Sequence, residues 1–364
     1  MLDRIYQALK DCGIDLWRIN DTTEETAELF FVKKELDTRR IKDVRKFLVT
    51  VFRDVPQQGQ DKPLRGFTSV TLLSSMSDGE MCEELKSAYF AAQFAANPFF
   101  ELPDPVKAPH KDKQGELSQA PLADSAGKIA HAIFSADKHP DAFINSAEVF
   151  VVRTKTHILS SEGTDLSYTD TRVNGEFVVQ CREPEDVEIH NAYSYDELDT
   201  QALSKKVEEA LTFVRDRAKA QRVLKSGKYN VVLSAESVST VLSYYNTRSG
   251  ASLIYPGYST WKVGDHVQGD NISGAKLDLD LVATEPYSEE GIPMDQLPLL
   301  RGGQLKAIHG SNRFCRYLGI KPTGMYRKLK CENAGVPFEE LKKEPCLWAV
   351  TFSDFQMDAM SGHF

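Results

Sequence analysis

Three long runs of β-forming residues constrain this chain more than any other feature. Residues 147–161 (AEVFVVRTKTHILSS), 165–173 (DLSYTDTRV) and 175–195 (GEFVVQCREPEDVEIHNAYSY) follow one another with short polar gaps. Strand side chains alternate between two faces, so such runs require extended backbone with one face covered. They read as an antiparallel meander with helices on one face.

Three further strand patterns come earlier: AELFFVKKE (27–35), RKFLVTVFRD (45–54) and LRGFTSVTLL (64–73), separated by polar turns. Helical periodicity marks residues 2–12, where Leu2, Ile5, Tyr6 and Leu9 recur and Gly13 closes the element. It marks 78–95 behind the cap Ser77, with Met81, Leu85, Ala88 and Tyr89 inward, and 123–136. It is clearest over 203–223, apolar at Val207, Leu211, Val214 and Ala218. Residues 97–121, rich in Pro, Lys and Asp, read as a surface loop.

The pattern changes at SGKY (226–229). One strand and one helix follow, then a long Gly-, Pro- and Asp-rich stretch with short strands such as KLDLDLVA (276–283). The expectation is an α+β fold: helices on an antiparallel sheet in an N-terminal domain (1–225), then a mainly β C-terminal domain (226–364). A chain of 364 residues has the length for two domains. The last fourteen residues, TFSDFQMDAMSGHF, stay apolar to Phe364 with no charged tail. They read as a C-terminal domain incomplete at its end.

Hydrophobic content of 41% and charged content of 27% are those of a soluble globular protein. The net charge of -9 argues against nucleic acid or an anionic membrane as a partner, since both attract basic surfaces. Six cysteines (Cys12, Cys82, Cys181, Cys315, Cys331, Cys346) contain no CxxC pair and fit a reducing compartment. The N-terminus lacks the apolar core of a signal peptide, and no stretch nears the roughly 20 apolar residues of a membrane span. A cytoplasmic location is expected.

Little in the chain reads as chemistry. No histidine lies three or four residues from another. Asp186, Glu188 and His190 share one face of a strand, as do Lys276, Asp278 and Asp280, with Leu277, Leu279 and Leu281 opposite. Either set could touch a cation, but a solvated strand face is the ordinary reading. Cys315 stands between Arg313 and Arg316, which could lower its pKa, yet no histidine neighbours it as a base. It reads as a structural cysteine. No GxSxG, GxGxxG or GxxxxGK[ST] pattern occurs.

The stretch LSAESVSTVLSYYNTRSGASLIY (233–255) has the form of an active-site helix without active groups. Ser234 is an N-cap, Glu236 suits the first turn, and Val238, Val241, Leu242 and Tyr245 form a buried face. Thr240, Ser243, Tyr244, Thr247 and Arg248 lie on the other side. Ser249-Gly250 ends the helix, with Gly able to take a left-handed turn.

The order of the motifs resembles the TldD/PmbA family, a two-component cytosolic peptidase once named a modulator of DNA gyrase. The similar segments are YNVVLSAESVSTVLSYY, SGASLIYPGYS, WKVGDHVQGDNIS and EPYSEEGIPMDQLPLLRGGQLKAIHGSNRFCRYLGIKPTG. Upstream, ILSSEGTDLSYTDTRV (158–173) and LKSAYFAAQFAANPFFELP are similar as well. The TldD branch carries HExxxH on the helix, two histidines to hold zinc and a glutamate as general base. Here Ser243 or Tyr244 stands for the first histidine, Tyr244 or Tyr245 for the glutamate, and Arg248 or Ser249 for the second histidine. The chain is therefore similar to the PmbA (TldE) branch.

That resemblance implies a non-catalytic subunit with no metal of its own and zinc in a TldD-type partner. The two would enclose a cavity and process unfolded or short peptides, with roles in leader-peptide maturation and antitoxin turnover. Ser243, Tyr244, Thr247, Arg248, Ser249, Gly250 and Tyr255 would line the cavity or the interface. Two alternatives stay open. One is a self-sufficient metallohydrolase with ligands gathered from afar, such as His190, His266, His309 and Cys315. The other is a homodimeric or larger homo-oligomeric peptide-binding protein without catalysis.

Overall fold

Helix α1 (Leu2–Asp11) buries Ile5, Ala8 and Leu9 and stops at Gly13, whose φ of 65° is the left-handed conformation that ends helices. In this computed structural model, residues 1–221, 225–269, 271–332, 336–343, 345–352 and 354–363 are described. The chain then forms a long hairpin of β1 (Trp17–Val32) and β2 (Glu35–Val55). Both strands exceed the patterns at 27–35 and 45–54. The polar stretch RINDTTEET has weak β-propensity, but β1 is laddered on both sides, to β2 and to β6 (Ala142–Ser160), and that pairing fixes it.

Strand β3 (Leu64–Leu73) continues the sheet. Helix α2 (Asp78–Ala92) starts at a reciprocal Ser77–Glu80 capping box and packs back on β3. Gly66 permits this approach: a Cβ there would fall 1.7 Å from the Ala92 carbonyl oxygen. A short turn (Gln93–Ala95) leads to β4 (Ala96–Asn97). The segment expected as a loop over 97–121 carries β5 (Lys111–Asp112) and α3 (Glu116–Gln119). Helix α4 (Leu122–Ser135) precedes β6, β7 (Asp165–Cys181) and β8 (Val187–Tyr195). The run 175–195 is thus two strands, not one. It breaks at REPED, where Pro184 has no N–H for a ladder. Helix α5 (Thr200–Ala218) ends before the expected 223, and residues 222 and 223 lie outside the described residues.

The sheet runs β4-β3-β2-β1-β6-β7-β5, with β8 also on β7, antiparallel throughout except for β5 on β7. Ile19, Ala27 and Leu29 alternate onto one face of β1. On that face α1 and α2 cover Ile19, Phe47, Val49 and Leu72, while α4 and α5 cover Ala27, Val149, Val151 and Phe177.

The remaining chain is built from short pieces. Strand β9 (Val231–Leu233) leads into α6 (Ala235–Arg248) and α7 (Ala251–Ile254). Then come β10 (Leu279–Val282), β11 (Leu297–Arg301), β12 (Gln304–Leu305), α8 (Asn312–Tyr317), β13 (Lys328–Cys331), α9 (Phe338–Leu341) and β14 (Leu347–Ala349). They make a sheet β12-β11-β10-β13 and a parallel pair β14-β9. Leu242 of α6 joins Leu279, Leu281, Leu299, Leu300, Leu305 and Tyr326 in a third core. Asp280 departs from the solvated-face reading. It is 3% exposed, because Arg301 and Gln296 (2.9 Å) satisfy its carboxylate inside the sheet layer. The architecture is α+β with a sheet-rich C-terminal region. Among the described residues no helix is long and apolar enough to cross a membrane. The expectation of an incomplete end turns partly on Phe364, which lies outside the described residues.

Two regions meet at α8. Asn312 Nδ2 donates to the Glu101 carbonyl (2.7 Å), Arg313 to Asn97 (2.6 Å) and the Tyr317 hydroxyl to the Pro98 carbonyl (2.5 Å).

Candidate functional site

Helix α6 begins at Ser234, which has the extended backbone of an N-cap. Its hydroxyl does not bond a helix N–H as expected, but sits 3.1 Å from Ser237 Oγ. Only the later part of α6 faces the third core, where Leu242 is buried and Tyr245 stacks on Trp261 at 6.1 Å. The first turns border an open cleft through Ser234, Glu236, Ser237 and Thr240. Val238, expected inward, is 38% exposed, while Ser237 is buried.

The hydroxyls of Thr240, Ser243 and Ser249 are turned onto helix backbone carbonyls. Ser243 Oγ donates to the Thr240 carbonyl at 2.6 Å, and Ser249 Oγ reaches the carbonyls of Tyr245 (2.8 Å) and Asn246 (2.9 Å). Such back-bonding satisfies a buried hydroxyl without a ligand. Tyr244 meets Tyr245 and Trp261 edge-on at 5.5 and 5.7 Å. Arg248 lies 5.5 Å over the Trp261 ring and donates to the Tyr258 carbonyl at 2.7 Å. Thr247 is exposed.

Gly250 does not take the left-handed turn. Its φ of -68° and ψ of 131° are extended, and it bridges to His309 while Ala251 N–H donates to the His309 carbonyl at 2.8 Å. The helix stops because the chain is captured by this neighbouring segment. Tyr255, 44% exposed, packs on Tyr317 at 4.7 Å.

Zinc needs imidazole, thiolate or carboxylate donors. The positions in question offer two serine hydroxyls already spent on carbonyls, two tyrosines and a guanidinium. Burial pushes the Tyr245 phenol up, away from a ligating phenolate. These residues do not fit a metal.

The other candidates are dispersed. Asp186 accepts from Gln180 (2.7 Å), Glu188 from Asn145 (2.7 Å), and His190 pairs with Glu176 (3.0 Å). Asp278 accepts from the Gly302 N–H at 2.5 Å, and Lys276 and His266 edge a small hollow beside it. Cys315 is fully buried, and burial pushes its thiol up to about 11. Its flanking arginines are engaged elsewhere, Arg313 on Asn97 and Arg316 on Asp104 (3.1 Å). Their expected lowering of the thiol pKa is therefore not realised. His309 is buried against the last turn of α6, 3.0 Å from the Asn246 carbonyl, and does not line the cleft. Among the described residues no three His, Cys, Asp or Glu side chains gather as a metal group.

The cleft itself holds about 1030 Å³. Its walls are β8 (Glu188, His190), α5 (Phe213, Asp216, Arg217), the start of α6 (Ser234, Glu236, Ser237, Thr240) and Trp348 with Phe352. Ser243, Tyr244, Thr247, Arg248, Ser249, Gly250 and Tyr255 are not among its lining, whereas Thr240 is. One signal could have found it: a helix opening SAESVST presents small polar groups where a core-facing helix would be apolar.

Comparison with known proteins bears on this arrangement. Residues 112–226 match the model of the PmbA/TldA metallopeptidase central domain, and residues 226–364 match that of the PmbA/TldA metallopeptidase C-terminal domain. No curated protein matches. Among solved structures, TldE from Thermococcus kodakarensis is similar at a TM-score of 0.70 and 16% identity, over 94% of this chain and 80% of that one. A proposed modulator of a DNA gyrase from Thermotoga maritima is similar at 0.67 and 17%, over 93% and 78%. Another, from Bacteroides thetaiotaomicron, is similar at 0.68 and 14%, over 92% and 77%. At such identities the structural likeness speaks for the fold.

Proposed function

Because the chain belongs to the PmbA/TldD metallopeptidase family, we propose that it serves as a non-catalytic, PmbA/TldE-like subunit whose TldD-type partner carries the zinc. The observation that carries this reading is α6. Its hydroxyls at Ser243 and Ser249 are tied to backbone carbonyls and its aromatic and cationic groups are packed against Trp261, leaving no donor set for a metal. In this reading, hydrolysis takes place at the partner's metal, and this chain binds and orients.

The substrates are unfolded or short peptides. The cleft suits one: among the described residues β8 pairs only with β7, Phe213 and Trp348 give apolar surface, and Glu188, Asp216 and Arg217 give charges of both signs. Tyr255 and Tyr258, exposed beyond the end of α6, belong to the surface that meets the partner, together with Thr247 and Arg248. A cytoplasmic setting goes with this role.

The test is direct. The pure chain should not cleave an unfolded peptide, with or without added zinc, and should gain chelator-sensitive cleavage on mixing with a family member bearing HExxxH. Chelator-sensitive cleavage by the pure chain, or failure to associate with such a member, rejects the reading.

A further inference from the structure

Helices α1 and α2 lie side by side on the sheet and share one core through Ile5, Leu9, Met81 and Leu85. Arg4 ties them at one end, donating to Asp78 (2.7 Å) and to the Met76 carbonyl (2.7 Å). At the other end two thiols meet. Cys12 caps the C-terminus of α1, Cys82 sits in the second turn of α2, and their sulfurs are 3.5 Å apart. Among the described residues no other cysteine sulfur is hydrogen-bonded to a second. Both cysteines are half-buried, so small molecules in solution can reach them.

A disulfide needs its sulfurs at about 2.05 Å. The remaining approach, about 1.5 Å, is within the sweep of one thiol turning about its Cα–Cβ bond. Cys12 also has room to follow. It precedes Gly13, which holds a φ of 65° and has nothing within 4 Å of where a side chain would begin. We infer that Cys12 and Cys82 form a reversible disulfide when the chain meets a small-molecule disulfide such as oxidised glutathione. One cysteine thiolate attacks a glutathione sulfur and expels one glutathione thiolate. The other cysteine thiolate attacks the mixed disulfide and expels the second. Two electrons pass to glutathione, and the two cysteine protons end on the departing thiols. Burial and Cys82 push the Cys12 thiol up to about 11, against the pull of Lys86, so closure is gradual at neutral pH. The new bond closes a loop that contains β1, β2 and β3, and it staples α1 to α2. It needs no partner subunit.

The test uses the full chain, equilibrated with oxidised glutathione at a fixed concentration of reduced glutathione, then alkylated and mapped by peptide mass spectrometry. A Cys12–Cys82 cross-linked peptide should appear. Its half-formation should need at least about tenfold less oxidised glutathione than half-modification of the exposed Cys331, because the second step is intramolecular. The melting temperature should rise by at least about 3 °C and return on reduction with dithiothreitol. Cys12→Ser and Cys82→Ser should each lose the cross-link and the rise, and should hold glutathione on the remaining cysteine. Glutathione adducts on both cysteines without a cross-link overturn the inference. So do pairing of either with another cysteine or a second chain, and a melting temperature that rises equally in the two variants.

Discussion

His309 Nε2 lies 3.0 Å from the backbone oxygen of Asn246, so an imidazole from a segment 63 residues later closes the last turn of α6. The ring is buried, edge-on to Tyr326 at 5.8 Å, and its Nδ1 has no partner among the described residues.

That burial gives a pH dependence. Desolvation holds the His309 pKa below its ordinary 6.5, against the smaller opposing pull of the Asn246 carbonyl. Between the two values the unfolded chain takes up a proton that the folded chain refuses. Stability is therefore full above about pH 6.5 and is lost as the pH falls through the folded value. Urea midpoints measured from about pH 7.5 to about 5.5 should fall less steeply in His309→Gln than in the parent. Parallel slopes would show that the ring does not set this dependence.

Grafting the missing metal motif should not create a peptidase. Tyr244→His, Tyr245→Glu and Ser249→His replace two rings packed on Trp261 and a serine with no exposure. Loss of the Tyr245 ring from the third core alone should cost on the order of 3 kcal/mol, and the surrounding shell that orients ligands is absent. Zinc analysis and peptide cleavage by the triple variant should both stay at background, with a lowered melting temperature. Stoichiometric zinc with turnover would mean that the site is dormant, not lost.

Thiol reactivity should rank by access. Cys331 is exposed, Cys315 is fully buried with its thiol up at about 11, and Cys12, also held near 11 by burial and by Cys82 at 3.5 Å, is half-covered. Iodoacetamide followed by peptide mass spectrometry should label Cys331 first among these three and Cys315 only on unfolding. Early labelling of Cys315 would reopen its reading as a nucleophile.

Local periodicity made much of the fold legible. Leu85 and Ala88, or Val207, Leu211 and Val214, repeat at helical spacing and are buried as that spacing requires. Legibility failed where distant segments decide. The strand pattern begins only at residue 27, yet ladders to β2 and β6 on both sides hold residues 18–26 extended as well. Gly250 looked like a left-handed stop, but the end of α6 is set by His309. Val238 fits a buried stripe by spacing, yet only Leu242 and Tyr245 of α6 reach the third core, and Val238 is exposed. The missing zinc donors, in contrast, are a matter of side-chain identity, and the sequence displays them outright.

The contacts of α8 with Asn97, Pro98 and Glu101 have a mechanical meaning. A six-residue helix clasps the rim of the large sheet to the region that carries α6. Any displacement of that region against this rim of the sheet would have to break all three of these bonds together.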